Sequence, residues 1–465
     1  MKQNSTETTE KKETPGTGKK ENKMGYMPIG KLLFNMAFPM ILSMLVQALY
    51  NVVDSIFVAQ INESALTAVS LAFPLQNLMI AFASGTGVGI NALLSRSLGE
   101  KNFDRADKAA NTGILLSVIT YGAFALFGIF ASRIFFTIQT RDPEIVEFGI
   151  QYMSIVCIFS FGLFLQLTFE RLLQSTGRTF YTMITQGLGA IINIILDPIM
   201  IFGYFGFPKM GVAGAAVATV TGQIIAMIVA LIYNKTRNPE IHIGGKHLRL
   251  DGYTAAVIYQ VGVPSIIMMS FGSVMTFGMN KILLMFSSTA AAVFGVYFKL
   301  QSFFFMPVFG LNNGMVPIIA YNLGARHKDR IMKTIKLSMV AATGIMLIGL
   351  VVFQTIPEEL LKLFNASDDM MTIGCNALRT ISWSYLFAGF CIVAGSVFQS
   401  LGNGVYSLIV SVARQFVVIL PVSYVLASAF GLSMVWLAFP IAELVSMTLS
   451  MILFRKIYQK KIAVL

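Results

Sequence analysis

The sequence is poor in charge. Asp, Glu, Lys and Arg together make up 12% of the 465 residues, about half of the share that is typical of a soluble globular protein. Only the first 23 residues are polar enough to stay dissolved without burying an apolar face, so a string of soluble domains is excluded. The formal net charge is +12, but the basic residues lie in short segments between apolar runs, which argues against a nucleic-acid partner.

Cysteine and histidine are also scarce, with three residues of each. Cys157, Cys375 and Cys391 lie inside apolar runs and the histidines lie in polar connections, so neither a disulfide framework nor a metal cluster is predicted. The phosphate-binding pattern G-x-x-x-x-G-K-[ST] and the catalytic patterns H-E-x-x-H and G-x-S-x-G do not occur. We therefore expect neither an enzyme nor a protein with a bound cofactor.

Apolar runs fill the rest of the chain. A helix needs about 20 residues to cross the roughly 30 Å hydrocarbon layer of a bilayer, and twelve runs reach that length. Strands of a membrane barrel would alternate polar and apolar residues, which these runs do not, so helices are predicted. The predicted spans cover approximately residues 31–59, 66–95, 109–134, 145–172, 179–203, 211–234, 254–286, 290–320, 332–355, 371–398, 405–429 and 434–456. The expected kinks lie at Pro39, Pro264, Pro307, Pro317 and Pro421.

Basic residues are divided unequally between the two sides of the predicted membrane. If the N-terminus is cytoplasmic, the inner segments carry 26 of the 34 lysines and arginines and the outer loops carry four. Cytoplasmic connections are the ones enriched in Lys and Arg. We therefore expect a multi-pass protein of the cell membrane with both termini in the cytoplasm. Four basic residues, Lys281, Lys299, Arg379 and Arg414, lie inside predicted helices.

The second half of the chain repeats the first at an offset of 225 residues. Without a gap, this offset aligns Pro39 with Pro264, Gly85 with Gly310, Leu98-Gly99 with Leu323-Gly324, and Gln174-Ser175 with Gln399-Ser400. Glycine and polar matches in register over five helices are not expected by chance. Because six crossings are an even number, both copies have the same orientation in the membrane. The predicted fold is an all-α polytopic membrane protein with twelve transmembrane helices, arranged as two parallel six-helix repeats around a central cavity.

The domain organisation follows from the repeat. We predict a disordered cytoplasmic tail over residues 1–24, an N-terminal six-helix half over 25–235, a cytoplasmic linker over 236–253 and a C-terminal six-helix half over 254–465. Each half contributes one wall of the cavity. A single chain therefore holds a complete cavity, and we expect the protein to act as a monomer.

Acidic residues inside membrane spans are costly and commonly mark ion pathways. Asp54, Asp197 and Glu443 lie clearly inside the predicted helices. The repeat offset pairs Asp54 with Met279 and Asp197 with Val422, so the first half has an acid pair that the second half lacks. At 1.5 Å per residue, both acids lie about 8 Å below the outer ends of helices one and five, and they can share a depth.

Two further oxygen donors lie near the same depth. Asn193 precedes Asp197 by one helical turn on the same face, and Thr219 lies about 12 Å into helix six. With the two carboxylates they form an all-oxygen set suited to a proton or to a hard cation such as Na+. A bound proton or cation would relieve repulsion between the carboxylates and shift helices one and five. The alternative is that the two acids only cap or pair within a packed bundle.

Four segments of the sequence resemble the multidrug and toxic compound extrusion (MATE) family, in its bacterial branch. They are Pro39 to Asp54, Asn193 to Pro198, Gly211 to Thr219, and Gly310-Leu-Asn-Asn-Gly314 through Tyr321-Asn-Leu-Gly324. The resemblance covers nearly the whole chain after residue 25. It implies antiport coupled to H+ or Na+, in which amphiphilic, often cationic drugs and toxic compounds leave the cytoplasm by alternating access.

The resemblance also implies a coupling site. In relatives whose cation site lies in the first half, the residues that match Asp54, Asn193, Asp197 and Thr219 form that site. Another branch of the family places its acids in helices seven and ten. Here those helices carry basic side chains and no acid, so a sodium site in the second half is not expected.

Four other polar residues of the predicted spans are also candidate site residues. Glu170, beside Arg171 at the inner end of helix four, receives protons or cationic cargo, or is an interface charge. Gln47, Tyr50 and Asn51 precede the first acid by up to two turns and are predicted to line the cavity.

The charges of the second half also leave alternatives open. Arg414 and Glu443 are predicted to form a structural ion pair rather than a transport site. Lys281, Lys299 and Arg379 gate the cavity, balance charge or reach outward to the interface. Several basic residues facing a cavity are also what a flippase for lipids or lipid-linked saccharides needs, and this remains the alternative function. The acid pair of the first half favours cation-coupled export over that alternative.

Overall fold

The computed structural model describes residues 22–245, 248–364 and 366–465, without the side chains of residues 51, 52, 55, 59 and 63. Within these residues the chain is helical and carries no strand. Ten helices are long and apolar enough to cross a membrane, and two bent helix pairs add one crossing each. The predicted twelve spans are confirmed. Most of the predicted tail, residues 1–21, lies outside the described residues.

The spans are numbered in chain order. Spans 1 to 6 are Ile29–Ala59, Glu63–Gly99, Phe103–Phe130, the pair Pro143–Ile158 and Phe161–Ser175, Thr179–Phe202, and Val212–Arg237. Spans 7 to 12 are Gly252–Leu284, Ser288–Gly324, Lys328–Thr355, the pair Asp368–Ser382 and Tyr385–Ser400, Gly404–Phe430, and Leu432–Ile462. Shorter helices cover Lys23–Tyr26, Ser132–Gln139 and Pro357–Lys362.

Side-chain caps fix the tight turns between antiparallel spans. Asn62 accepts a hydrogen bond from the backbone N–H of Ala65 at 2.7 Å at the start of span 2. Ser287 accepts one from the backbone N–H of Ala290 at 3.1 Å at the start of span 8. Both side chains satisfy backbone donors that have no partner within the helix. Asn62 and Ser287 are equivalent under the 225-residue offset, so the two halves begin this helix in the same way.

Spans 4 and 10 are bent sharply, by 43° and 54°. The breaks lie at residues 159–160 and 383–384, which agree within one residue under the repeat offset. Neither break contains a proline. Pro39 and Pro264, two of the expected kink positions, lie inside continuous helices. The bends are therefore shared features of the two repeats that proline positions do not reveal.

Span 11 contains a π-helical segment, Ala413–Ile419. Pro421 lies two residues after its end, in the first turn of the next α-helical segment. Proline has no N–H to donate to the preceding turn and its ring crowds the carbonyl there. The wider π-helical turn accommodates this mismatch without ending the helix. Arg414 lies within the segment, which changes the direction of its side chain relative to a regular α-helix.

Glycines bring the two halves into backbone contact. A Cβ on Gly85 of span 2 would lie 2.5 Å from the Ile266 side chain and 2.8 Å from its backbone nitrogen in span 7. A Cβ on Gly310 of span 8 would lie 2.6 Å from the Ile41 Cα in span 1. Gly85 is equivalent to Gly310 and Ile41 to Ile266 under the repeat offset. The contacts are therefore exchanged between the halves, as a pseudo-twofold axis along the membrane normal requires.

Both ends of the described part of the chain, at residues 22 and 465, lie on one side of the membrane, called here the terminal side. Arg330 donates hydrogen bonds of 2.8 Å to the carbonyls of Met24 and Met27 near the N-terminus. Lys328 donates to the carbonyl of Ala463 near the C-terminus at 3.5 Å. The opposite side is called the far side. The terminal side thus holds the start of the first half against span 9 of the second half.

The halves meet on the terminal side and separate toward the far side. Gly99 and Gly324, at the terminal-side ends of spans 2 and 8, leave no room for a Cβ against the opposite helix. Farther along the same face of span 8, three turns before Gly310, Lys299 is exposed. Met269 of span 7, two turns beyond the contact residue Gly262, is 41% exposed. On both spans, the face that contacts the opposite half near the terminal side is exposed nearer the far side, and we call the space between these faces the cleft.

The connection between the halves is bound to span 3. The backbone N–H of His242 donates to Asp107 Oδ1 at 2.7 Å, and Asn111 bonds both the carbonyl of His242 at 2.8 Å and the N–H of Gly244 at 2.9 Å. Span 7 then begins at Gly252, where Asp251 accepts from the backbone N–H of Thr254 at 2.8 Å. His247 lies outside the described residues. The connection is thereby held to the first half on the terminal side.

Contact between the two halves on the terminal side depends on glycines of spans 2 and 8. Gly314→Val in span 8 is expected to prevent this contact. An added Cβ would lie 2.7 Å from the Cα and N atoms of Ala37 in the opposite half, and backbone atoms cannot move aside. We expect faster hydrogen exchange of the amides in residues 33–41 and 310–318, together with loss of transport.

Gly344→Val in span 9 is the matched control, because nothing lies within 4 Å of its added Cβ. Both variants place a β-branched residue in a helix, so they share that small cost. Equal exchange in the two variants would contradict the assigned contact.

Candidate functional site

The acid pair predicted from the sequence is brought together between spans 1 and 5. The carboxyl groups of Asp54 and Asp197 lie close enough to interact electrostatically with each other. Asp197 is fully buried, and Oδ1 of Asp54 is buried with no hydrogen-bond donor among the described residues. Two carboxyl groups this close together need a shared proton, or a cation between them, to offset their repulsion. Such a pair is chemically able to hold a proton or a cation.

Asn193 and Thr219 complete the set of oxygens around the pair. With its amide oriented to satisfy both neighbours, Asn193 donates to Asp197 Oδ2 at 3.3 Å and accepts from the hydroxyl and the backbone N–H of Thr219 at 3.2 Å. Asn193 is almost fully buried. The four residues that the sequence singled out are thus one contiguous group across spans 1, 5 and 6.

Close packing of spans 5 and 6 makes this contact possible. A Cβ on Gly222 would lie 2.7 Å from the carbonyl oxygen of Gly189. Asn193 follows Gly189 by one turn and therefore faces span 6. Pro198, inside span 5, withholds the N–H that would bond a carbonyl one turn earlier. The small residues and the proline together place an amide, a carboxylate and a free carbonyl at one level of the helix.

Two tyrosines flank the acid pair. Tyr50 and Tyr152 both lie within electrostatic range of Asp54 and Asp197. Gln76 donates to the Tyr152 hydroxyl at 3.0 Å. Tyr50 precedes Asp54 by one turn of span 1, as predicted, whereas Tyr152 and Gln76 lie far away in the sequence. No sequence signal linked them to the site, because spans 2 and 4 approach it only in the folded bundle.

The other residues predicted to line the cavity lie on span 1. The side chain of Gln47 is exposed and that of Tyr50 is half-buried. Gln47 lies two turns and Tyr50 one turn before Asp54, toward the terminal side. The side chain of Asn51 lies outside the described residues.

Glu170 lies in a second polar group, in the terminal-side segment of span 4. The side chain is 1% exposed. Three neutral donors surround its carboxylate: Gln166 at 3.0 Å, Thr185 at 3.0 Å and Gln186 at 2.8 Å. A buried carboxylate with this many donors is satisfied without a cationic partner. Glu170 lies inside the bundle rather than at its surface.

Arg171, next to Glu170 in the chain, links the two halves. It donates to Gln174 Oε1 at 2.8 Å and to Asn313 Oδ1 of span 8 at 2.9 Å. A Cβ on Gly87 would lie 2.7 Å from the Arg171 side chain, so the glycine provides its passage. Sequence analysis missed this contact because Asn313 shows no charge to pair with an arginine. The link lies where the cleft ends and the halves close.

The second half holds an ion pair whose carboxylate is buried. Arg414 of span 11 and Glu443 of span 12 are 2.7 Å apart, between Nη1 and Oε1. Glu443 is 6% exposed, and its Oε2 atom is buried without a hydrogen-bond partner in the part of the chain described. The thiol of Cys391 lies 3.8 Å from the Glu443 carbonyl oxygen. The contact joins the π-helical segment of span 11 to span 12.

The remaining intramembrane basic residues are separate from the acid pair. Lys281 and Lys299 are exposed on spans 7 and 8, and the Lys281 amine lies 5.6 Å from the centre of the Phe277 ring. Arg379 lines a far-side pocket of about 410 Å³ together with Glu358 and Cys375. Among the described residues, no group of three or more His, Cys, Asp or Glu side chains is arranged to hold a metal ion.

A family model matches the chain twice. The model MatE covers residues 39–199 and again residues 264–425, one match in each half. The chain belongs to the MatE family. The resemblance seen in the sequence, to bacterial multidrug and toxic compound extrusion transporters, is thereby confirmed, and the double match has the spacing of the repeat.

Similar MatE proteins come from other bacteria. The multidrug export protein MepA of Staphylococcus haemolyticus is 27% identical over 424 residues, covering 91% of this chain and 92% of that protein. The protein named probable multidrug resistance protein YoeA of Bacillus subtilis is 26% identical over 435 residues, covering 91% and 93%. The chain therefore matches these relatives over nearly their whole length.

Solved MatE structures have the same fold. An outward-facing multidrug resistance MATE family transporter of the MOP superfamily superimposes with a TM-score of 0.89 at 24% identity, over 95% of this chain and 98% of that one. A MOP superfamily transporter from Pyrococcus furiosus, described as having a binding pocket of reverse polarity, gives 0.88 at 23% identity over 95% and 98%. The predicted fold class, two six-helix repeats in one chain, is confirmed.

Proposed function

We propose that this MatE protein is an antiporter that exports amphiphilic, often cationic compounds from the cytoplasm in exchange for H+ or Na+. The observation that carries the proposal is the proximity of Asp54 and Asp197 in the first half. The names of the relatives, a multidrug export protein and a probable multidrug resistance protein, support the type of cargo. The excess of basic residues on the terminal side supports a cytoplasmic position for both termini in the cell membrane.

The coupling step follows from the electrostatics of the acid pair. Two carboxylates close together within a bundle repel each other unless a proton or cation lies between them. Entry of H+ or Na+ from the far-side cleft removes this repulsion and lets spans 1 and 5 pack closely. Loss of the ion separates them again. A cationic cargo that reaches the same half offsets the same negative charge, so cargo and ion compete.

Asn193 and Thr219 position Asp197 for both ions. The Asn193 amide contacts both residues at 3.2–3.3 Å, which holds the carboxylate toward span 1. Amide, hydroxyl and carboxylate oxygens are also ligands that hard cations accept. The same four residues therefore serve H+ and Na+, and the ion is to be decided by experiment.

Alternating access requires the terminal-side contacts to break. The direct polar contacts between the halves on that side include Arg171 with Asn313 at 2.9 Å and Arg330 with Met24 at 2.8 Å. In the state described, these contacts close the cytoplasmic entrance while the cleft is open to the outside. We assign Arg171 to this gate and Glu170, next to it, to the reception of cationic cargo from the cytoplasm.

A flippase for lipids or lipid-linked saccharides is the second candidate function. It is favoured by the exposed side chains of Lys281 and Lys299, which suit an anionic headgroup. It does not by itself require the acid pair. Cation-coupled export uses both the acid pair and the cleft, because the acids bind the ion while the cleft admits cargo.

Transport in liposomes tests the proposal. Purified protein is reconstituted, and a fluorescent organic cation such as rhodamine 6G is followed while a proton gradient or a sodium gradient is imposed separately. We expect dye to move against its own gradient under one of the two. Absence of dye movement under either gradient, in protein that is folded by circular dichroism, would overturn the export function and favour the flippase.

A further inference from the structure

Lys299 is an unpaired cation inside the cleft. It belongs to an apolar span, and its side chain is exposed. No ion pair, hydrogen bond or ring contact of its amine is found among the residues that the structure describes, whereas Lys281 lies over the Phe277 ring. Ionisable groups inside membrane spans face the bundle interior or a water-filled cavity and usually have a functional partner. None of the described side chains is therefore the partner of the Lys299 amine.

The helix geometry of span 8 places Lys299 on the wall of the cleft. Gly310 and Gly314 contact the backbone of span 1 in the opposite half, so their face looks across the pseudo-twofold axis. Lys299 precedes Gly310 by three full turns and therefore lies on that face. At 1.5 Å per residue it lies about 16 Å from the far-side end of span 8, whereas Asp54 lies about 8 Å from the far-side end of span 1. Lys299 is thus deep in the cleft.

The surroundings of Lys299 are apolar. Phe303, one turn deeper on the same face, is 54% exposed, and Met269 of span 7 is 41% exposed. The residue equivalent to Lys299 in the first half is Pro74, and Phe73 beside it is 58% exposed. A single positive charge among exposed aromatic and aliphatic side chains matches an amphiphile with one anionic group and an apolar body.

The acid pair of the coupling site and the exposed side chain of Lys299 lie in different halves of the chain. The acids of the coupling site lie in the first half, where the second half has Met279 and Val422. The exposed lysine lies in the second half, where the first has a proline. A ligand anion at Lys299 would therefore be held apart from the acid pair and would not compete with the coupling ion for the same atoms.

We propose that Lys299 binds the anionic group, a carboxylate or a phosphate, of amphiphilic cargo, so that the transporter accepts anionic and zwitterionic amphiphiles besides cations. The inference rests on the proposed export function and names a further class of its cargo. The ammonium group donates charge-assisted hydrogen bonds to the anion, and Phe303 and Met269 contact the apolar body. A zwitterionic cargo can place its cationic end toward the first half.

Binding to the full-length protein in a neutral detergent tests the proposal. The probes are dansyl-aminoundecanoic acid and its carboxamide, which differ in charge but hardly in shape, and dansyl fluorescence is the readout. We expect the wild type to bind the acid about tenfold more tightly than the amide, the range of one charge-assisted hydrogen bond. Lys299→Gln should abolish this preference and Lys299→Arg should retain it.

A cationic probe gives a readout of opposite sign. Lys299→Gln removes a positive charge from the cleft and should tighten binding of rhodamine 6G by about twofold. A general loosening of the fold would weaken both probes. Lys336→Gln is the matched control, because Lys336 is exposed on span 9 on the terminal side, outside the cleft, and its loss should change neither affinity.

Two results would overturn the proposal: an equal affinity of the wild type for acid and amide, or an unchanged preference in Lys299→Gln. Competition by added phosphatidylglycerol, but not phosphatidylcholine, would identify a lipid phosphate as the anion. Lack of competition would identify a free amphiphile, and either result retains the anionic class. Since no gradient is applied, failure of coupled export leaves this binding test unaffected, and the two proposals fail separately.

Discussion

Asp197→Asn is expected to abolish gradient-driven export of an organic cation while the protein remains folded. Asparagine has nearly the same shape and keeps a polar contact with Asn193, but it can neither share a proton with Asp54 nor bind Na+ as an anion. The variant also removes the repulsion between two carboxylates close together. Export in liposomes should fall to the background of empty vesicles, and the melting temperature should stay within a few degrees of the wild type, about the shift that 1 kcal/mol produces.

Three variants sharpen this test. Asp54→Asn should have the same effect, and the double variant should be no worse than either single one, because residues that act as one unit are not additive. Asp369→Asn, an acid in the exposed first turn of span 10, should export normally. Normal export by Asp197→Asn under an imposed gradient would show that the pair does not couple.

Arg414→Met is expected to have the largest effect on stability. It leaves the Glu443 carboxylate buried without its cation, 2.7 Å from where the guanidinium was. Removing one partner of a buried ion pair costs about 3–5 kcal/mol, whereas replacing both by apolar residues is often neutral. The single variant should lose most of its stability in detergent, and Arg414→Met combined with Glu443→Leu should recover it. The measurement is thermal unfolding of the purified proteins.

The same two variants distinguish a structural role of the ion pair from a role in transport. If the ion pair is structural, as proposed, the doubly substituted protein should also export dye. Lys281→Met is the control, since it removes an exposed cation of the second half that has no carboxylate partner among the described residues. A single Arg414→Met variant as stable as the wild type, or a stable double variant without export, would contradict the structural role.

The repeat made the fold predictable from the sequence. Matches such as Gly85 with Gly310 mark backbone contacts, and backbone contacts depend on the absence of a side chain, which a sequence shows directly. The acid pair was predictable for a similar reason. Asp54 and Asp197 are conspicuous because carboxylates inside membrane spans are costly, and their depths followed from the helical rise.

Other features needed the structure because they arise between distant segments. The bends of spans 4 and 10 occur without proline, and the contact between Arg171 and Asn313 joins the two halves across 142 residues of chain. Tyr152 lies near the acid pair although it is far away from both acids in the sequence. Neutral amides and hydroxyls occur throughout the sequence, so composition does not distinguish those that surround Glu170 from those that face lipid.

Ion release on cargo binding is the most direct measurement of the competition between cargo and ion at the acid pair. A cationic ligand such as rhodamine 6G is added to purified protein in weakly buffered detergent solution, and proton release is followed with a pH indicator, with and without Na+. We predict release of about one proton per bound ligand, or displacement of one Na+, and none from Asp197→Asn. Ligand binding by the wild type that is independent of both pH and Na+ would contradict the competition between cargo and ion.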